Sequence, residues 1–150
     1  MNIIQNESIT YTIKEASKLT GLPASTLRYY ESIGIIAPIM RDASSKQRVY
    51  VEDDLNLLTA ISCLSATGMS IDDMRAYLGN RSKGASAAEE QVALLESQKQ
   101  HLAIEEEQIK IRRAYIELKI EYWQAVTAGD DDKKESIARQ AAVLAKQLKK

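Results

Sequence analysis

From Ser86 to Ala128 the chain runs without a glycine or a proline. Either residue would cost a helix interior roughly 1 kcal/mol (Gly) or 3 kcal/mol (Pro), so the stretch reads as one helix over 86–128, about 60 Å long. Ser86-Ala-Ala-Glu89 opens it with capping residues. Along it, apolar residues recur every seven positions: Leu95, Leu102, Ile109, Ile116 and Trp123. A second set, Ile104, Ile111 and Leu118, runs out of phase and is widened by Tyr115 and Tyr122. A lone helix with two apolar faces cannot stay in water. The seven-residue set is therefore expected to be a dimerisation seam, an antiparallel coiled coil with a second copy of the chain. The other set is expected to meet the rest of the chain. Asp130-Asp-Asp132 caps a last amphipathic helix within 129–150, with Ile137, Ala141, Leu144 and Leu148 on one stripe. Lys146, Lys149 and Lys150 complement its C-terminal dipole.

The remaining half must supply a compact head. The chain has 150 residues, 45% of them apolar, with two prolines, six glycines and no phenylalanine. That mixture suits a mainly α protein with few tight turns. Formal net charge is −1, so no strongly basic chain announces itself. The charge is uneven, however. Over 14–50 the cations Lys14, Lys18, Arg28, Arg41, Lys46 and Arg48 outnumber Glu15, Glu31 and Asp42. A basic face on an acidic chain still meets phosphates, because screening limits charge to about 8–10 Å. No signal peptide and no membrane span is expected. A single cysteine, Cys63, rules out an intramolecular disulfide and fits a reducing cytoplasm.

Thr12-Ile-Lys-Glu15 is a capping box. It predicts a short helix to Thr20 with Ile13, Ala16 and Leu19 inward. Gly21 supplies a left-handed turn, Pro23 opens a second helix over 24–32, and Gly34 stops it. Two short helices around a glycine turn make either a helix-turn-helix or an ordinary helical hairpin. The apolar run 35–40, the polar run 41–47 and Arg48-Val-Tyr50 then read as a small β-hairpin with Arg41, Lys46 and Arg48 about its tip. A basic hairpin directly after a helix-turn-helix is a wing; the alternative is a solvated loop. A third helix is expected over 52–67, with Leu55, Leu58, Ile61, Cys63 and Leu64 mostly inward. Ser70 opens a fourth, reaching Leu78. The expected organisation is a loose arm over 1–10, a winged helix-turn-helix head over 11–78, a linker over 79–85, the dimerisation helix over 86–128 and a C-terminal helix over 129–150.

Read in order, Tyr11-Thr-Ile-Lys-Glu-Ala, Leu19-Thr-Gly21, Thr26-Leu-Arg-Tyr-Tyr-Glu31, Ile33-Gly34, Arg48-Val-Tyr50, Glu52-Asp-Asp-Leu55 and Gly68-Met-Ser-Ile-Asp-Asp-Met74 resemble the MerR family of bacterial regulators. The match covers about half the chain. It implies a homodimer on a palindromic operator in an over-long promoter spacer, distorting the DNA so that RNA polymerase can use it. Thr26, Arg28, Tyr29 and Tyr30 then lie on the recognition helix. An arginine there donates two bonds to guanine or clamps a phosphate, and a tyrosine hydroxyl grips phosphate. Tyr30 fits a core aromatic equally well. Arg41, Lys46 and Arg48 reach the neighbouring backbone from the wing, and Tyr50 divides between core and phosphate. Three positions depart from the family pattern. Pro23 stands in place of a capping serine, Lys46-Gln47-Arg48 in place of Gly-Tyr-Arg, and Ser62 and Ser65 where basic residues are common.

The signal is harder to read. Residues 84–150 hold no cysteine and one histidine, His101, so neither a metal site nor any cofactor is expected. The surroundings of Cys63 resemble the family branch with one cysteine on this helix, which implies sensing of reactive aldehydes or other electrophiles. A buried, inert thiol is the plain alternative. Another is a small apolar or cationic ligand held by the C-terminal helices near Tyr115, Tyr122 and Trp123. Outside regulators, a coiled-coil interaction protein has no use for the Arg28, Tyr29 and Arg48 arrangement. An enzyme lacks a nucleophile–base pair, a phosphate-cradling loop and a metal cluster.

Overall fold

In the computed structural model, which describes residues 8–148, the Thr12 capping box forms as its spelling requires. The Thr12 hydroxyl accepts from the Glu15 amide at 3.2 Å, and Glu15 accepts the Thr12 amide at 3.3 Å. Helix α1 (Ile13–Thr20) follows, then α2 (Ala24–Ser32), α3 (Glu52–Ala66), α4 (Ile71–Arg81), a 3-10 turn (Gly84–Ala87), α5 (Ala88–Ala128) and α6 (Asp131–Leu148). The chain divides into two compact units, 1–95 and 96–150. The arm expected over 1–10 lies largely outside the described residues.

The first unit packs α1 to α4 about one core. Leu27, Tyr50, Leu58, Ile61 and Met74 are its largest fully enclosed side chains. Each such apolar side chain contributes roughly 1.5–3 kcal/mol relative to exposure. Ala16 is buried as expected, but Leu19 is 61% exposed. The inward row is Ile13–Ala16–Thr20, and Leu19 sits about 100° round the helix from Thr20. Thr20 is tolerated inside because its hydroxyl donates to the Ala16 carbonyl and accepts from the Leu22 amide.

Four further expectations change. The hairpin over 35–50 is not a strand pair: among the described residues, β structure is limited to two isolated bridges, Tyr11 with Tyr50 and Arg41 with Arg48. The linker shortens, because α4 continues through Gly79 and Asn80 to Arg81, and Asn80 is buried. Helix α5 begins at Ala88, as Ser86 is spent in the 3-10 turn with its hydroxyl on the Lys83 carbonyl. Cys63 is exposed instead of inward. On α3 the buried row Leu55–Leu58–Ile61 advances in steps of three, and a residue two places past Ile61 points away from it.

In the second unit Asp130 caps α6, accepting the Lys133 amide at 3.1 Å. Ile137 and Ala141 are buried, and Leu144 and Leu148 half-buried, so the predicted stripe is the inward one. It faces the second apolar set of α5. Tyr115, Leu118 and Tyr122 line with Ile137 and Ala141 a shared hollow of about 290 Å³. The two helices still share lining near Ile111 and Leu148. Ile104, two turns earlier, is 58% exposed because the 18 residues of α6 reach back only about 27 Å.

Candidate nucleic-acid interface

The helix-turn-helix is held by local bonds. Gly21 takes φ +75°, and the Ser17 hydroxyl donates across the turn to the Leu22 carbonyl at 2.6 Å. Helix α2 starts on Pro23 with no side-chain cap, so the bond expected to be missing there is missing. Its spacing sends Leu27 and Tyr30 into the core and leaves Arg28 and Tyr29 exposed, with Thr26 half-buried. At its far end Arg75, on α4, donates to the Ile33 carbonyl at 2.8 Å. Gly34 follows at φ +74°, a left-handed turn that any side chain would strain.

The segment after α2 is tied to that helix by one side chain. Glu31 accepts the Ile39 amide at 3.1 Å with one oxygen and the Arg48 Nε at 2.6 Å with the other. Both partners are mostly enclosed, at 13% exposure for Glu31 and 19% for Arg48. Burial alone pushes the Glu31 carboxyl up; the hydrogen bonds from Arg48 and Ile39, with the charges of Arg48 and Arg41, outweigh it and hold the group below its usual value. Between these anchors the tip folds on itself. Asp42 accepts from the amides of Ser44 and Ser45 and from the Ser44 hydroxyl, and these bonds pull its carboxyl down to about 2. Asp42 donates its amide to Gln47, and Val49 donates to Met40. Arg41 spans the loop to the Lys46 carbonyl at 3.0 Å. Lys46 takes φ +61°, a left-handed conformation that suits the glycine common at this place in the resembled family.

The structure thus sorts the sequence-predicted contacts. Arg28, Tyr29, Arg41 and Lys46 are exposed, while Thr26 and Arg48 are half-buried. Two are corrected. Tyr30 is a core aromatic at 5% exposure, its hydroxyl 3.5 Å from the Ser65 hydroxyl, the outer limit of a hydrogen bond. Tyr50 is fully enclosed by the core, and burial pushes its hydroxyl up. Its hydroxyl has no partner among the described residues. Neither ring presents itself to a phosphate here. Arg48 is engaged by Glu31, so its first effect is to fix the loop. Sequence reasoning assigned no role to Glu31 or Arg75. The Thr-Leu-Arg-Tyr-Tyr-Glu run contains the one signal for Glu31, an acid on a helix followed by a basic loop.

The five residues expected to form a seam, Leu95, Leu102, Ile109, Ile116 and Trp123, are exposed by 41% to 64%. Among the described residues no three of His, Cys, Asp and Glu are grouped to hold a metal ion, and no helix is long and apolar enough to cross a membrane.

Residues 11–80 match the family described as MerR HTH family regulatory protein. The chain is 31% identical, over 80% of its length and 90% of the relative's, to a Haemophilus influenzae protein named "Probable heavy metal-dependent transcriptional regulator". Among solved structures it is similar to HiNmlR, a MerR family regulator lacking the sensor domain, bound to promoter DNA. There the identity is 28%, the coverage 86% of this chain and 96% of that one, and the TM-score 0.67. A MerR family regulator from Bacillus thuringiensis aligns at 26% identity and TM-score 0.60, over 75% of this chain and 97% of that one.

Proposed function

The chain belongs to the MerR family of DNA-binding transcription regulators, and from that premise we propose how it acts. It binds a palindromic operator in a promoter spacer as a homodimer, one head in each of two successive major grooves. It distorts the spacer and so sets access for RNA polymerase, in the cytoplasm. The observation that carries this is the Glu31 clamp: it fixes the Arg41–Arg48 loop to the same helix that exposes Arg28 and Tyr29. Arg28 and Tyr29 then read or grip the groove, and Arg41 and Lys46 meet the flanking backbone. The relative bound to promoter DNA supports the reading. Ser62 and Ser65, half-buried where cations are common, leave the grip dependent on α2 and the loop. A gel shift with the promoter of the chain's own gene tests it. A specific, salt-sensitive complex is expected; equal affinity for promoter and scrambled duplex contradicts it.

One observation favours an electrophile-responsive reading: the Cys63 thiol is exposed on α3, open to reagents such as aldehydes. Alkylation there changes the surface of a helix whose opposite side carries the core residues Leu55, Leu58 and Ile61. Cys63→Ser is expected to keep operator affinity within about twofold and to lose the change in reporter output that formaldehyde or methylglyoxal causes. An unchanged response in the variant rules this sensor out.

A further inference from the structure

The second unit holds a hollow that its own side chains leave unfilled. Tyr115 and Tyr122 stand on α5 two helical turns apart, about 10 Å along its axis. Opposite them α6 presents Ala138 and Ala142, one turn apart on one face and both exposed. Their methyl groups do not reach across to the rings, so about 290 Å³ stays open between the helices. Ligand pockets commonly run from about 300 to 1,000 Å³ and combine an apolar, aromatic lining with a few polar groups. This hollow stands at the small end of that range, which fits a molecule of one or two rings.

Charge decides which molecule. Two tyrosine rings alone would suit a cation. That role is already taken, because the Lys119 ammonium lies 5.4 Å from the centre of the Tyr115 ring. Lys119 is the one charged side chain among the described residues that line the hollow, and it makes no ion pair among them. A neighbouring crevice, towards Leu148, carries Arg112 and again no carboxylate. A second cation would meet the Lys119 charge with no acid to offset it. An anion meets Lys119 in a charge-assisted hydrogen bond, while its ring lies against the tyrosines and the alanine methyls.

We propose that the hollow between α5 and α6 is a binding site for a small aromatic acid, its ring between Tyr115 and Tyr122 and its carboxylate on Lys119. The site lies wholly within the second unit and needs no DNA. It therefore goes beyond the regulator reading, and either can fail without the other.

Titration calorimetry on the full chain tests this with probes alike in ring and different in charge: naphthoate, naphthalenemethanol and naphthylmethylamine. Naphthoate is expected to bind with a dissociation constant below about 1 mM. It should also perturb the fluorescence of Trp123, the chain's one tryptophan, whose ring stands edge-on to Tyr122 at 5.4 Å. Lys119→Met should weaken naphthoate about tenfold and leave the neutral naphthalenemethanol within about twofold. Ala138→Leu and Ala142→Leu each place a larger side chain in the hollow from an exposed helical position, where leucine is nearly as good a helix former. Each should weaken both probes at least about tenfold, with circular dichroism unchanged from wild type. Undiminished binding by the leucine variants puts the site elsewhere and overturns the proposal. So does naphthylmethylamine binding as tightly as naphthoate, an unchanged naphthoate affinity in Lys119→Met, or no saturable binding at all. Naphthoate affinity that falls as protein concentration rises identifies a second copy of the chain as the occupant, and overturns it too.

Discussion

Ile116→Glu is expected to leave a folded chain that neither dimerises nor holds operator DNA. Ile116 is 57% exposed in the single chain, so a carboxylate there keeps its water and α5 loses little. In the proposed dimer the same position lies against the partner's seam. Each dimer loses two buried isoleucines, about 4–6 kcal/mol at roughly 2–3 kcal/mol apiece, before the cost of enclosing two unpaired charges is added. The dissociation constant should rise by at least about a thousandfold. Operator affinity falls with it, because two linked heads bind about 10²–10⁴ tighter than one. Sedimentation equilibrium and a gel shift on one sample check both, and circular dichroism confirms that the helix is intact. A variant that remains dimeric places the interface elsewhere.

The second large effect falls on Glu31. Glu31→Ala removes the acceptor of two enclosed donors, the Arg48 guanidinium and the amide of Ile39, a residue only 6% exposed. Breaking one side of a buried pair costs about 3–5 kcal/mol; with both partners retaining some water, about 2–3 kcal/mol is expected here. That lowers Tm by roughly 10 °C. The 40–48 loop should become protease-sensitive at Lys46 and Arg48, and operator affinity should fall as the loop leaves α2. Glu31→Gln keeps both acceptances through its amide oxygen in part, so its loss should be about half as large. Because the folded carboxyl titrates below its unfolded value, its stabilisation is whole at neutral pH and fades as pH drops through the ordinary carboxylate range and below. Equal melting of wild type and Glu31→Ala would show that Glu31 does not clamp the loop.

What the sequence disclosed was what local spacing encodes. The uninterrupted run of α5, the Thr12–Glu15 box, the Gly21 turn and the Asp130 cap each depend on residues within a few positions of one another, and each forms. The failures have longer range. Glu31 finds its partners 8 and 17 residues away, so no periodicity marks it. The segment 35–50 is apolar enough to suggest paired strands. Yet Ile35, Ile36 and Ile39 are spent on the core, and only one bridge remains at the loop's base. Tyr30 and Tyr50 resisted assignment because a tyrosine suits both a core and a phosphate; packing put both inside. Cys63 and Leu19 were the reverse case, apolar by type but off the inward row by angle.

The proposed regulator meets DNA through the exposed face of α2. The most direct measurement is the affinity of Arg28→Ala for the promoter duplex beside that of wild type, at one salt concentration. Arg28 is exposed and outside the core, so the variant should fold and dimerise normally. A bidentate base contact or a phosphate clamp lost from both subunits predicts affinity at least about tenfold weaker. Affinity within twofold of wild type contradicts the docking of this helix on DNA.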